Sequence, residues 1–175
     1  VGPIFAAMEA HDQGEDSAGG TYRGGAGKLR ITTHPAGDAL CEALLNAGAE
    51  MGIVRVDDVN SPTAVRDGGL GYQPTTRYKG ARFSAAKAFL ADAKKRPNLT
   101  ISTDTDVLKI IIEDQRAIAI LLRNKAGSKT IRAYREIIIS AGAFQTPKLL
   151  QLSGIGPAAV LQEHGIDVVV DAPNV

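Results

Sequence analysis

Side chains suited to acid–base or nucleophilic chemistry are sparse in this sequence. It contains three histidines and one cysteine, namely His11, His34, His164 and Cys41. His11 stands in a polar stretch, His34 precedes a proline, and His164 ends a predicted helix, where a cation interacts favourably with the helix dipole. Cys41 falls in an apolar helical pattern and is interpreted as a small core residue. We therefore assign no catalytic residue and no metal ligand, and one cysteine alone excludes an internal disulfide.

Two glycine motifs resemble nucleotide-binding loops but lack the required context. Gly154-Ile-Gly156-Pro-Ala-Ala159 fits a loose G-x-G-x-x-A pattern. A dinucleotide loop needs a strand before it, so that the glycines meet the pyrophosphate at a helix N-terminus. Here the motif follows a predicted helix, and a glycine helix stop explains it. Gly27-Lys28 is followed by Leu29, and Tyr22 stands where a P-loop needs glycine.

A strand–loop–helix pattern over 136–147 is the strongest candidate for a binding site. Ile137, Ile138 and Ile139 predict a strand covered on both faces, and Thr146-Pro147 predicts a helix start. Ser140, Ala141 and Gly142 between them have little side chain, so a planar ring or a phosphate could approach the backbone. Ligands in open α/β sheets bind beyond the carboxyl ends of strands. Tight packing alone would explain the same residues, and the pattern leaves both interpretations open.

The remaining patterns predict a chain of mixed α and β structure. Helices are predicted behind Pro3, after Asp38, after Ser84 and over 157–164. Strands are predicted at 29–31, 99–102, 105–113, 117–123, 130–134, 136–140 and 166–170. Hairpin-length linkers indicate an antiparallel meander over 99–134. Residues 11–27 are predicted to form a loop, and residues 53–82 are turn-rich and aperiodic.

Composition limits the classes of partner. The 175 residues carry 20 basic and 19 acidic side chains, so no basic field is present to attract nucleic acid. No apolar stretch approaches the length of a transmembrane segment. The chain begins at Val1 without a signal segment and ends after a strand-like run, so we expect an internal piece of a longer protein. The location is unknown, with the cytoplasm favoured.

The stretch 142–156 resembles the second signature of the glucose–methanol–choline (GMC) oxidoreductases. The signature has Gly, a small residue, Thr or Ser before Pro, two aliphatic residues, and then Ser-Gly-aliphatic-Gly; each of these positions is filled here. Stretches 80–86, 95–100 and 164–168 resemble further family segments in the same order. The resemblance is clear over about residues 68–175, and the style is similar to the choline-dehydrogenase-like members.

This resemblance implies an FAD-dependent enzyme that oxidises a small-molecule alcohol by hydride transfer to the flavin. It implies that the backbone at Val107 lies against the adenine and that Ser140, Ala141 and Gly142 line the adenosine side. The implied fold is α+β or α/β, a partial FAD-binding domain (strand meander plus buried strand–loop–helix) with part of a substrate-binding domain. Residues 1–82 would belong to the substrate-domain region and 83–175 to the FAD-binding domain.

Two parts of the family pattern are not found in this sequence, namely the strand–GxGxxG–helix for the pyrophosphate and the catalytic His with its His or Asn partner. The chain by itself is therefore expected to be inactive and to depend on the rest of the same polypeptide. Two alternatives stay open at this point. One is a hydroxynitrile lyase on the same FAD scaffold, and the other is a truncated, non-catalytic module.

Overall fold

The computed structural model describes residues 2–12 and 22–175, which form two compact units, Val1–Thr100 and Ile101–Val175. The division falls after Thr100, later than the expected boundary after residue 82. The assignment of either part to a substrate-binding or FAD-binding domain stays a prediction. Of the predicted loop over residues 11–27, residues 13–21 lie outside the described part.

The first unit contains short helices and two-stranded pairings. Its elements in chain order are α1 (Gly2–Met8), β1 (Glu9–His11), β2 (Leu29–Ile31), α2 (Ala39–Glu50), α3 (Pro62–Asp67), β3 (Arg77–Tyr78), β4 (Ala81–Arg82), a π-helical turn (Ala86–Leu90) and α4 (Ala91–Ala93). The predicted helices after Pro3, Asp38 and Ser84 are present. The helix after Ser84 has a π-helical first part, and the Ser84 hydroxyl accepts a hydrogen bond from the Lys87 N–H at 3.4 Å.

Strand β1 was missed by the sequence reasoning, and it changes the interpretation of His11. It pairs in parallel with β2, so His11 stands opposite Ile31 and is only 7% exposed. The expected polar loop position for His11 is therefore wrong, because the pairing of β1 with β2 carries the residue into the interior. Gly24 and Gly27 make this pairing possible: a Cβ on either would collide with the backbone of Ala6 or Met8.

Helix α2 begins where the sequence predicts. The Asp38 carboxylate accepts a hydrogen bond from the Cys41 N–H at 3.0 Å, which satisfies one of the free donors of the first turn. The buried side of the helix comes later, at Leu45 and Gly48. Cys41 is exposed, so its interpretation as a core residue is wrong. The helix buries the side that carries Leu45 and Gly48, and Leu40 beside Cys41 is 81% exposed.

The turn-rich segment 53–82 contains more structure than its pattern predicts. Ser61 caps α3 by accepting from the Ala64 N–H at 3.1 Å, and β3 and β4 form a small antiparallel hairpin. Thr32 and Thr75 exchange two backbone hydrogen bonds of 2.9 and 3.0 Å. The Thr32–Thr75 pairing joins residues far apart in sequence, so local periodicity could not reveal it.

An ion-pair cluster ties β1 to this segment. The Arg23 guanidinium donates two hydrogen bonds of 2.8 Å to the Asp58 carboxylate and one of 3.2 Å to Glu9, and all three side chains are largely buried. Burial alone would raise the pKa of Asp58, but hydrogen bonds from Arg23 and from the Asn60 N–H outweigh it, so this pKa lies below its ordinary value. The hydrogen bond to Asp58 is the main cause that raises the pKa of Arg23.

The second unit is a three-stranded meander with two helices. Its elements are β5 (Asp106–Glu113), β6 (Arg116–Asn124), β7 (Gly127–Arg132), α5 (Gly142–Leu152), β8 (Ile155–Gly156), α6 (Ala158–Glu163) and β9 (Val170–Asp171). The strand order β5-β6-β7 is antiparallel throughout, which confirms the predicted meander. Its core residues are Ile110, Ala119, Leu122 and Leu161.

Three strands predicted in the second half of the chain are absent from the structure or much shorter than predicted. Residues 136–140 form no strand and pair with no other segment of the described part, and Ile138 is 78% exposed, so the predicted strand covered on both faces is wrong. Residues 99–102 form no strand, and of 166–170 only Val170 pairs, in β9 alongside β8. A strand needs a hydrogen-bonding neighbour, and apolar composition does not replace it. The described residues supply no such neighbour for 99–102 and 136–140, and for 166–170 they supply one only at its end.

Helix α5 begins earlier than its sequence pattern predicts. Gly142 has φ +90°, which lets the chain turn into a helix five residues before Pro147. The predicted start at Thr146-Pro147 is therefore wrong, and Pro147 lies inside the helix without an N–H to donate. Helix α6, by contrast, confirms the prediction, because it starts directly after Pro157 and ends before His164.

Replacing Arg23 should test the cluster in the first unit. Arg23→Met is expected to lower the free energy of unfolding by about 2–4 kcal/mol, because it leaves two largely buried carboxylates without their cation. The pKa of Asp58 is lowered in the folded protein, so its contribution is present above about pH 4 and is lost as the pH falls through the folded pKa. Urea unfolding at neutral and acidic pH would measure both the loss and the flatter pH dependence of the variant.

Arg66→Met is the matched control, because Arg66 pairs with Asp67 on the exposed surface. Its effect should stay within about 1 kcal/mol. Equal losses in the two variants would show that the buried cluster has no special part in stability.

Candidate functional site

Two cavities lie between the meander and α5 in the second unit. One has a volume of about 430 Å³ and the other about 300 Å³, and they share Val107, Ala141 and Leu149. Ser140 lines the smaller cavity, together with the extended isoleucines that precede it. Gly142 lines neither cavity. Three of the four predicted site residues are therefore brought together, and the fourth stands beside them at the helix start.

The strand that carries Val107 is irregular at this point. Val107 pairs with Leu122 and Lys109 with Leu121, so Leu108 is an extra residue with no partner in the ladder. Such a β-bulge leaves backbone groups outside the regular hydrogen bonds and redirects the strand, as is frequent beside binding sites. Both Val107 and Leu108 line the larger cavity. The bulge therefore presents backbone as well as side chain to a ligand there.

On the opposite wall, α5 begins with small residues. Its N-cap, Ala141, provides no side-chain hydrogen bond, so the first N–H groups of this helix lack a cap. A Cβ placed on Gly142 would meet no atom within 4 Å, so the space beside it is open. Ser140 and Ala141 are exposed as well. A flat group can therefore come close to the backbone at the start of the helix.

A buried serine holds the two walls together. The Ser153 hydroxyl accepts a hydrogen bond from the Ile110 N–H at 2.8 Å and donates one to the Leu149 carbonyl at 2.6 Å. Ser153 is only 1% exposed. Because Ile110 belongs to β5 and Leu149 to α5, this hydroxyl fixes the end of the helix against the strand. The spacing of the cavity walls depends on that contact.

The Gly154-x-Gly156 motif has a structural role in the same region. Gly154 has φ +88° and ends α5, and its carbonyl accepts from the N–H groups of Val169 and Val170. A Cβ on Gly154 would come within 2.6 Å of the Asp167 carbonyl oxygen. The motif follows a helix and leads into β8, as the sequence indicates, and its geometry is that of a helix stop.

Charged and amide side chains stand around the larger cavity. Arg123 approaches Asp106 at 3.6 Å on the exposed surface, and Lys148 and Gln145 line the cavity from α5. The sequence reasoning missed Gln145, Lys148 and Arg123. The helical spacing of 145, 148, 149 and 152 could have indicated the pair on α5, but only once the true helix start was known.

A separate cavity of about 690 Å³ in the first unit is lined in part by Tyr72 and His34. The Tyr72 ring stacks on His34 with centroids 5.5 Å apart, and its hydroxyl donates to Glu42 at 3.0 Å. Hydrogen bonds from Arg55 and then Tyr72 hold the pKa of Glu42 below its ordinary value. The pKa of Tyr72 is raised, mainly by burial and to a smaller extent by the hydrogen bond to Glu42.

The three histidines stand in different local surroundings. His34 Nδ1 lies 2.8 Å from the Pro35 carbonyl, and buried His11 lies 3.5 Å from Asp12. His164 is the C-cap of α6. Within residues 2–12 and 22–175 no group of His, Cys, Asp and Glu is placed to hold a metal ion. The helices of the described part are too short or too polar to span a bilayer.

The two open cavities, lined mainly by aliphatic and small side chains, offer room for a ligand in this region. The chain belongs to the GMC oxidoreductase family, whose profile it matches over residues 1–167. The resemblance given by the signature is thereby confirmed.

Relatives of known activity agree with this family. The oxygen-dependent choline dehydrogenase of Sinorhizobium fredii is 40% identical over 173 residues, covering 99% of this chain and 30% of that protein. The pyridoxine 4-oxidase described as from Mesorbium loti superposes with TM-score 0.83 and 33% identity, covering 99% of this chain and 33% of its own. An FAD-dependent oxidoreductase from Chaetomium thermophilum gives TM-score 0.80 and 28% identity, over 99% and 31%.

These comparisons confirm FAD as the cofactor at the level of the family. They also show the extent of the match, since the chain spans about 30% of the length of its curated relatives. The oxidoreductase class and the similarity to choline dehydrogenases agree with the resemblance.

The Ser153 contact yields a test of how the site is held. Ser153→Ala should lower the free energy of unfolding by about 1–3 kcal/mol, because the buried Ile110 N–H loses its acceptor. Urea unfolding would measure the loss. Ser128→Ala on exposed β7 is the control and should be nearly neutral. A neutral Ser153→Ala would mean that α5 is held to β5 by apolar packing alone.

Proposed function

We propose that this chain is part of an FAD-dependent enzyme that oxidises a small-molecule alcohol at its CH–OH group, and that it contributes the adenosine side of the cofactor site. One observation carries the proposal. The residues that the family resemblance assigns to the adenosine, Val107 on one wall and Ser140 and Ala141 on the other, line two cavities that share a boundary. These residues are more than thirty positions apart in sequence, so their meeting is a property of the fold.

The residues present fit the adenosine half of FAD. The walls combine aliphatic side chains, which suit the faces of a planar ring, with the bulged backbone at Val107 and Leu108. Small residues at 140–142 leave the backbone open to approach. The uncapped N–H groups at the start of α5 favour a negative or hydrogen-bond-accepting group nearby.

When bound, FAD supplies the group that accepts a hydride from the alcohol. The described residues then act by binding and orienting. Val107 and Leu149 exclude water from the ring faces, and the backbone at the bulge and at the helix start supplies polar contacts. Removal of the alcohol proton would be the task of a base elsewhere in the same polypeptide. The chain spans about 30% of the length of its curated relatives, which supports a base outside this chain.

The choice of an alcohol as substrate rests on the relatives. Two of these relatives are named for choline and pyridoxine, and both compounds carry a hydroxyl on carbon. Residues 1–82 would contribute to the substrate-binding region and 83–175 to the FAD-binding domain, as the resemblance implies. The cavity that holds the stacked His34 and Tyr72 lies in the first of these parts.

A direct test is to purify the protein as its gene encodes it and record its visible absorption. Flavin absorption, FAD released on denaturation, and bleaching of the bound flavin by an alcohol under anaerobic conditions are the expected results. Absence of flavin from the folded protein, combined with failure to bind added FAD, would overturn the proposal.

Filling the cavity tests the location of the adenosine. Ala141→Phe should abolish FAD binding or weaken it by at least about tenfold, because the ring would occupy space shared by both cavities. Ala159→Phe on the exposed side of α6 is the size-matched control and should retain FAD. Titration of the apoprotein with FAD, followed by flavin fluorescence, gives both affinities. Full FAD affinity in Ala141→Phe would place the adenosine elsewhere.

A further inference from the structure

One face of α5 is turned toward the larger cavity. Gln145, Lys148, Leu149 and Leu152 line it, with the spacing of three, four and seven residues that places side chains on one side of a helix. Leu149 and Leu152 provide apolar surface. Gln145 and Lys148 bring polar chemistry, and neither was anticipated from the sequence pattern.

The amide of Gln145 offers one donor group and one acceptor side by side. Adenine presents the same pair in reverse, with an exocyclic amine beside a ring nitrogen acceptor, and a glutamine amide can pair with both. Gln145 is exposed along the cavity wall that begins with Ala141. It is therefore free to turn its amide toward a ring held between Ala141 and Val107.

Lys148 adds a positive charge on the same face. Arg123, on the other side of the cavity, stands 3.6 Å from the carboxylate of Asp106, so part of its charge is compensated. Among the described residues no carboxylate forms an ion pair with Lys148. The ammonium is thus available to an anionic group of a ligand, and an exposed charge of this kind acts over about one Debye length.

We infer that Gln145 and Lys148 are specificity-determining residues for the adenine nucleotide half of the cofactor, Gln145 by pairing with the adenine edge and Lys148 by attracting the phosphates. This inference rests on the proposed function and assigns roles to two residues of the same site. Both side chains act on binding and take no part in hydride or proton transfer. Their effect should therefore be seen in affinity for any ligand that contains adenosine and phosphate.

The test uses apoprotein of the complete polypeptide and variants with side chains of similar size. Gln145→Met should raise the dissociation constant for FAD by about fivefold, as expected for one lost hydrogen-bonding group. Lys148→Met should raise it by about three- to fivefold at low salt, and the difference should shrink at high salt because exposed charges are screened. The affinity for 5′-AMP, measured by direct titration of the apoprotein, should weaken by the same factors, and Lys148→Arg should bind FAD as the wild type does.

Gln162→Met on α6 and Lys125→Met in the β6–β7 hairpin are matched controls, since both residues are exposed and lie outside the cavity lining. They should bind FAD and 5′-AMP as the wild type does. Wild-type affinities in both test variants would overturn the inference while the proposed function stands. A wild-type apoprotein that fails to bind FAD would instead overturn the proposed function itself.

Discussion

The hydroxyl of Ser153 is the contact on which the organisation of the second unit depends. It joins an amide of β5 to a carbonyl of α5, and Ser153 and Ile110 are only 1% and 3% exposed. A buried N–H without an acceptor is costly, so the strand and the helix are held at one distance. Val107 lies three residues before Ile110 on β5, Ala141 is the N-cap of α5, and Leu149 itself lines both cavities. A structural serine at the end of the helix thereby sets the geometry of a site at its beginning.

The site itself is built largely from backbone and small side chains. A bulge at Leu108 and a positive φ at Gly142 open the backbone on the two walls, and Ala141 keeps the space clear. Such a surface suits binding, because it offers hydrogen-bonding groups and open space, and the charged side chains Asp106, Arg123 and Lys148 line only the larger cavity. The chain spans about 30% of the length of its curated relatives.

The first unit uses a different physical principle. Its strands are two or three residues long and supply few ladder hydrogen bonds, so polar contacts between distant segments connect it. Arg23 joins Glu9 to Asp58, and the paired threonines 32 and 75 link β2 to the segment before β3. Close backbone packing at Gly24 and Gly27 complements these contacts. Buried charge is stable here because each carboxylate is bound by the same guanidinium.

Local chemistry determined much of this protein. Asp38 and Pro157 mark true helix starts, the alternating strands of 106–132 form the expected meander, and the signature over 142–156 leads to the family and its cofactor. Each of these depends on residues close in sequence, where side-chain spacing and backbone preference decide the outcome.

The tertiary structure decided the rest. Pairing with β2 buried His11, and Gly142 moved the start of α5 ahead of Pro147. Ile138 is exposed because no strand of the described residues lies beside it. That shift placed Gln145 and Lys148 on the cavity face, where no local pattern had placed them. Strand pairing, burial and the direction of a side chain depend on what lies opposite in space. The sequence pattern does not show which residues will lie opposite in the folded chain.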